Sequence, residues 1–244
     1  MLYVNNRGNN MLKFDNLQIN DEIKSVLQRY NVDFVFQPIF SREESIIGYE
    51  ALMRPDGMNI LDFIEMMKEK EKLHDLELLS FFGATMAYRQ RNYDKMLSIN
   101  SFPEDCFSHE EALQYSLCFR PIKDKLIIEI LEYTEEKNWT WDMKKKHVET
   151  YQGIEVALDD FGTGHNDMAA VEYYQPDMIK LDRGLISEID KNPGKQELVK
   201  EYLKEMHDKA IVVLAEGVET KEEYEYLMSI GVDFFQGYYL GRPA

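Results

Sequence analysis

An eight-stranded α/β barrel with an antiparallel first strand is the fold this sequence predicts. Three observations predict it. Eight short β-rich runs recur along 244 residues, helical runs separate most of them, and the first two lie too close together for a crossover. Alternating strands and helices give a largely parallel sheet covered on both faces. Barrels of roughly 250 residues are commonly one domain. One barrel domain over 19–244 is expected, preceded by a polar leader over 1–18.

The elements follow in order. From Asp21 the pattern turns helical, with Ile23, Val26, Leu27 and Tyr30 on one face. Strands are expected at 33–40 and 46–54, joined only by Ser41-Arg42-Glu43-Glu44-Ser45. A parallel crossover needs about a dozen residues, so this pair is an antiparallel hairpin. The remaining strands are expected at 95–100, 125–131, 153–159, 177–182, 210–216 and 233–237. Helices are expected at 60–71, 73–91, 138–150, 166–174, 196–209 and 220–230.

Composition narrows the function classes. The net charge of −17 at pH 7 repels polymeric nucleic acid and anionic membrane surfaces. The one short basic run, Lys144-Lys145-Lys146, lies among acids and reads as a solvated helix face. Cys106 and Cys118 form no disulfide framework and lack zinc-site spacing, which points to reduced thiols in a cytoplasmic protein. Apolar runs such as Ala210-Ile211-Val212-Val213-Leu214-Ala215 are strand-sized, far below the roughly 18 residues of a membrane-spanning helix. No membrane insertion is expected.

The informative feature is a beat of polar residues at strand ends. Glu50 interrupts Ile46–Leu52, Asn100 ends Met96–Ile99, and Glu129 interrupts Leu126–Leu131. Asp159 and Asp160 end Val156–Leu158, Lys180 lies within Met178–Asp182, Glu216 follows Val213–Ala215, and Gln236 follows Asp233–Phe235. From Asn100 onward the intervals are 29, 30, 21, 36 and 20 residues, each about one strand-helix unit. In a barrel such ends converge on one mouth, where active sites are built. Each residue alone has a plain structural reading: an edge glutamate, a strand end running into a turn, a snorkelling lysine. Jointly they would bury several carboxylates at one place, which is costly unless a cation gathers them. Oxygen ligands without His or Cys suit Mg²⁺ or Mn²⁺ rather than zinc. Where the strand kinks into Phe161-Gly162, Asp159 and Asp160 can approach one cluster, and Asp159 could bridge two ions.

These residues resemble the signature of the EAL-domain cyclic di-GMP phosphodiesterases. Glu50-Ala51-Leu52 with Arg54, Gln37-Pro38-Ile39, Asn100, Glu129, Asp159 through Gly164, Lys180-Leu181-Asp182, Ala215 through Glu219 and Gln236-Gly237 stand in family order from about Asp33 to Ala244. The resemblance implies a modified TIM barrel with an antiparallel first strand. It implies two divalent cations, Mg²⁺ or Mn²⁺, and hydrolysis of cyclic di-GMP to linear pGpG. By the same resemblance, Glu50, Asn100, Glu129 and Asp159 hold the first ion. Asp159 and Asp160 hold the second, with Glu216 close to it or to the attacking water. Lys180 orients that water, and Glu216 is the better general-base candidate. Gln37, Arg54, Asp182, Glu219 and Gln236 help position the nucleotide or the metal shell. A homodimer is among the arrangements the resemblance allows.

Two stretches depart from the family pattern. Glu129-Ile130-Leu131-Glu132 lacks the usual Thr, leaving Glu132 to tie the following loop, and His165 and Asp167 replace commoner residues in the loop after the fifth strand. Two rival functions share parts of this pattern. A catalytically weak receptor or protein-interaction module would usually lack a metal ligand or the lysine, and none is missing here. A Schiff-base lyase would need a depressed pKa at Lys180, whereas neighbouring carboxylates raise it.

Overall fold

The computed structural model describes residues 19–131, 154–162 and 167–244. Eight strands close into a barrel in chain order. They are β1 (Val32–Ser41), β2 (Ile46–Pro55), β3 (Met96–Ser101), β4 (Leu126–Ile130), β5 (Glu155–Phe161), β6 (Met178–Leu181), β7 (Val212–Ala215) and β8 (Phe234–Phe235). β1 runs antiparallel to both β2 and β8, and the other neighbours are parallel. The short link after Ser41 dictates this, as the sequence predicts. Because β1 is reversed, its early residues lie at the C-terminal mouth of the other strands, with Gln37 paired opposite Glu50.

The helices are α1 (Asp21–Arg29), α2 (Ile60–Glu69), α3 (Leu73–Leu78), α4 (Ala84–Gln90), α5 (His109–Phe119), α6 (Met168–Tyr174), α7 (Arg183–Ile186), α8 (Pro193–Asp208) and α9 (Lys221–Ile230). The run expected as one helix over 73–91 is instead α3, a π-helical turn at Leu79–Gly83, and α4. α5 escapes the apolar-periodicity reading, although Ser108 and Glu111 form a reciprocal capping box at its start. Asp167, unusual by family pattern, caps α6 by accepting from the amides of Ala169 and Ala170. The leader, the helix expected at 138–150, Glu132 and His165 fall outside the described residues.

Strand periodicity builds the site on a floor. Side chains alternate faces along a strand, so residues two apart share one. Ile39, Ile127, Ala157, Met178 and Leu214 form a buried apolar cluster, with Met96 and Phe234 packed against it. Two positions further along their strands stand Glu129, Asp159, Lys180, Glu216 and Gln236. The polar layer therefore sits one step above a dry layer. Larger apolar clusters fill the space between barrel wall and helices.

Candidate active site

Lys180 is the centre of the polar layer. It is fully buried, and its Nζ lies 2.8 Å from Asp159 Oδ1, 3.0 Å from Glu216 Oε2, 3.1 Å from Glu129 Oε2 and 3.7 Å from Glu50 Oε2. The four carboxylates come from β2, β4, β5 and the residue after β7, so the gathering is a product of barrel closure. Asn100 Nδ2 donates to Glu50 Oε1 at 3.2 Å, and Gln236 Nε2 donates to Glu50 Oε2 at 2.7 Å. Ser98 Oγ donates to Glu129 Oε1 at 2.5 Å.

Asp160 joins by a backbone irregularity. The register of β5 on β6 shifts between Leu158 and Phe161, and Asp160 takes a left-handed φ of 50°. Aspartate tolerates that region better than most residues. Two residues on, Gly162 has φ 91°, and a Cβ there would stand 2.4 Å from Leu185 Cδ1. The kink lets oxygens of Asp159, Asp160 and Glu216 come within 4.8 Å of one another. A regular strand would have turned one aspartate away.

The electrostatics follow from burial. Burial raises Glu129 well above the ordinary carboxylate range; Lys180 opposes this, and Glu50 and Asp159 add to it. Burial pushes Glu216 up to about 8, against the pull of Lys180. Burial disfavours the charge on Lys180, but Asp159, Glu129, Glu216 and Glu50 together hold its pKa well above the usual lysine value. The net direction disfavours the neutral amine that a Schiff-base lysine would need. Five carboxyl groups share one ammonium, and the raised Glu129 and Glu216 favour their neutral forms until another cation joins them. The donor set consists of hard oxygens, with no histidine or cysteine among them, so it fits Mg²⁺ or Mn²⁺.

The remaining expected residues ring the site with partners of their own. Arg54 is exposed on β2, its Nη1 donating to the Met53 carbonyl at 2.9 Å. Gln37 Nε2 approaches the Gly241 carbonyl at 3.4 Å. Asp182 caps α7 through the Gly184 amide at 2.6 Å. Glu219 pairs with Arg183 Nη2 at 2.7 Å. Sequence reasoning missed the supports. Ser98 shares the parity of Asn100 and could have been found by it; Arg183, whose guanidinium also holds the Gly217 carbonyl, follows Asp182 without a distinguishing signal.

Fold and site together define a class: a closed α/β barrel with one reversed strand and an oxygen-rich, lysine-centred acidic cluster at its C-terminal mouth. The EAL domain model matches residues 20–243, and the chain belongs to that family. It is 29% identical over 215 residues to the blue light- and temperature-regulated antirepressor BluF of Escherichia coli, covering 85% of this chain and 53% of that protein. It is 29% identical over 244 residues to the probable cyclic di-GMP phosphodiesterase PdeN of E. coli, covering 91% and 45%. The chain thus spans about half the length of these curated relatives. Among solved structures, a standalone EAL protein from Vibrio cholerae in its cyclic di-GMP-bound form superposes with a TM-score of 0.77 at 26% identity, covering 88% of this chain and 93% of that one. Klebsiella pneumoniae BlrP1 with manganese and cyclic di-GMP gives 0.74 at 26%, covering 87% and 56%.

Proposed function

We propose that this chain hydrolyses one phosphodiester bond of cyclic di-GMP, giving linear pGpG, with Mg²⁺ or Mn²⁺. The observation that carries the reading is the convergence of Glu50, Asn100, Glu129, Asp159, Asp160 and Glu216 around Lys180 at one mouth. Glu50, Asn100, Glu129 and Asp159 would hold one cation, and Asp159 and Asp160 a second with Glu216 beside it. Bound there, divalent ions lower the pKa of water and clamp phosphate oxygens for in-line displacement. Lys180 donates toward the attacking water and the charge that develops on the phosphoryl oxygens. With cations beside it Glu216 would be held as the carboxylate and accept that water's proton, while the leaving 3′-oxygen takes a proton from solvent. Arg54 contacts a phosphate of the substrate, and Gln37, Gln236, Asp182 and Glu219 position the nucleotide or the metal shell. An anionic substrate and a chain of net charge −17 are compatible when cations lie between them.

The test is chromatography of products from purified protein, cyclic di-GMP and Mn²⁺ or Mg²⁺. The reading expects pGpG, and its loss in excess chelator. The similarity to an antirepressor favours one second reading: a domain that binds cyclic di-GMP or a partner protein without turnover. Calorimetric binding with no pGpG would select it. A homodimer and a cytoplasmic location belong to the same proposal. Among the described residues no helix is long and apolar enough to cross a membrane.

A further inference from the structure

Behind Asn100 lies a grip that the chemistry described above does not use. Glu77, at the end of α3, is 1% exposed, and Ser80, in the π-helical turn, is 5% exposed. Residues three apart on a helical segment face the same way, and both of these face the exit of β3. Ser80 Oγ donates to the Asn100 carbonyl at 2.6 Å. Glu77 Oε1 accepts from Ser101 Oγ at 2.6 Å, and Oε2 accepts from the Phe102 amide at 3.0 Å. Two side chains from 20 to 25 residues upstream thus hold three consecutive residues, beginning with the amide-bearing one. On its other edge the Ser101 carbonyl accepts from the Leu131 amide at 3.1 Å.

A purely packing role for this helix would be served by apolar residues, since burying a carboxylate is costly. π-turns are uncommon and concentrate at functional sites. We propose that Glu77 and Ser80 are positioning residues that fix the peptide of Asn100, and through it the aim of its side chain at the cation shared with Glu50. The inference rests on the reading that Asn100 is an oxygen ligand. It adds to that reading the part of the molecule that sets the ligand's geometry. Hydrogen-bond partners of metal ligands typically change metal affinity by about 10–100-fold when removed.

Calorimetric titration with Mn²⁺, well below each variant's melting temperature, tests it. Ser80→Ala and Glu77→Gln should each weaken Mn²⁺ binding by about tenfold or more. Asn100→Ala should weaken it at least as much. Leu79→Val, which trims the core face of the same π-turn and removes no hydrogen bond to β3, should leave the affinity unchanged. If Ser80→Ala and Glu77→Gln bind Mn²⁺ as tightly as Leu79→Val, the positioning role is wrong. If Leu79→Val weakens binding as much as they do, general loosening of the turn explains the effect and the role is equally wrong. Should Glu77→Gln not fold, Ser80→Ala decides alone. Wild-type affinity in Asn100→Ala would instead overturn the ligand reading on which the inference stands.

Discussion

At the scale of single residues, Lys180 is the side chain whose replacement separates roles. Lys180→Met keeps the aliphatic stem and removes the ammonium. A cation acting mainly on the developing charge contributes more to the transition state than to the bound substrate, so its loss lowers kcat. The expected fall is about 10²–10³-fold, with a smaller change in cyclic di-GMP affinity. Single-turnover rates beside calorimetry measure both; equal losses in the two would make the lysine a substrate clamp. Arg54→Ala should instead weaken binding at least as much as turnover, since Arg54 is exposed at the rim and away from the buried cluster. Glu50→Ala removes the acceptor shared by Asn100 and Gln236 and should abolish turnover with the barrel still folded. Full turnover by Glu50→Ala, with metal still required, would remove Glu50 from the ligand set.

Among the elements, two junctions govern how the mouth is held. Gly237 follows Gln236, and a Cβ there would lie 2.1 Å from the Val218 carbonyl oxygen and 2.3 Å from its nitrogen. Backbone cannot yield as a side-chain tip does. Gly237→Ala should therefore cost about 1–3 kcal/mol, the usual range for overpacking, as read by chemical denaturation. The second junction is His74 at the start of α3. Its Nδ1 meets Asp105 Oδ1 at 2.7 Å and its Nε2 meets Glu111 Oε1 at 2.9 Å, so one imidazole joins the loop after β3 to the cap of α5. Hydrogen bonds donated to Asp105 and then to Glu111 raise His74 to about 10. Glu111 falls to about 2, because its bonds with His74 and Ser108 outweigh burial. A raised histidine stabilises fully below its unfolded value of about 6.5. That contribution is lost as pH rises toward about 10. The Glu111 contribution is present above its ordinary carboxylate range and lost as pH falls toward about 2. The melting temperature should thus decline from neutral pH to pH 10, and His74→Gln should flatten that decline. An unchanged slope in His74→Gln would remove the link.

For the whole molecule, the decisive quantity is charge balance at the mouth. Five carboxyl groups around one lysine, in a chain of net charge −17, ionise together only when further cations join them, so metal binding and their deprotonation are coupled. A cation that binds only the folded chain stabilises it by about 2.7 kcal/mol at 100 times its Kd. Mn²⁺ or Mg²⁺ should raise the melting temperature, and excess chelator should return it to the metal-free value. Calcium takes longer and looser oxygen contacts. It should stabilise the fold yet support little turnover. Calorimetry and product analysis in parallel check this; full turnover in chelator would sink the metal reading.

The sequence by itself determined the architecture and which polar side chains meet at the barrel mouth. Eight strands, the reversed first strand and the polar beat were legible because strand period, link length and strand-helix spacing are local. They hold wherever the chain goes. α5 was missed because its signal lay in its cap and not in its apolar spacing, and the run over 73–91 hid a π-turn because its apolar residues continue across it. What the tertiary structure alone decided is distance. That Lys180 lies within 3.1 Å of three carboxylates from different strands follows from barrel closure, which no local pattern encodes. Two further features came the same way: the left-handed turn that brings Asp160 beside Asp159, and the reach of Glu77 and Ser80 across to β3. A buried hydrogen bond between residues 20 or more apart leaves no trace in either neighbourhood, because the energy that selects it exists only after the surrounding layers have excluded water.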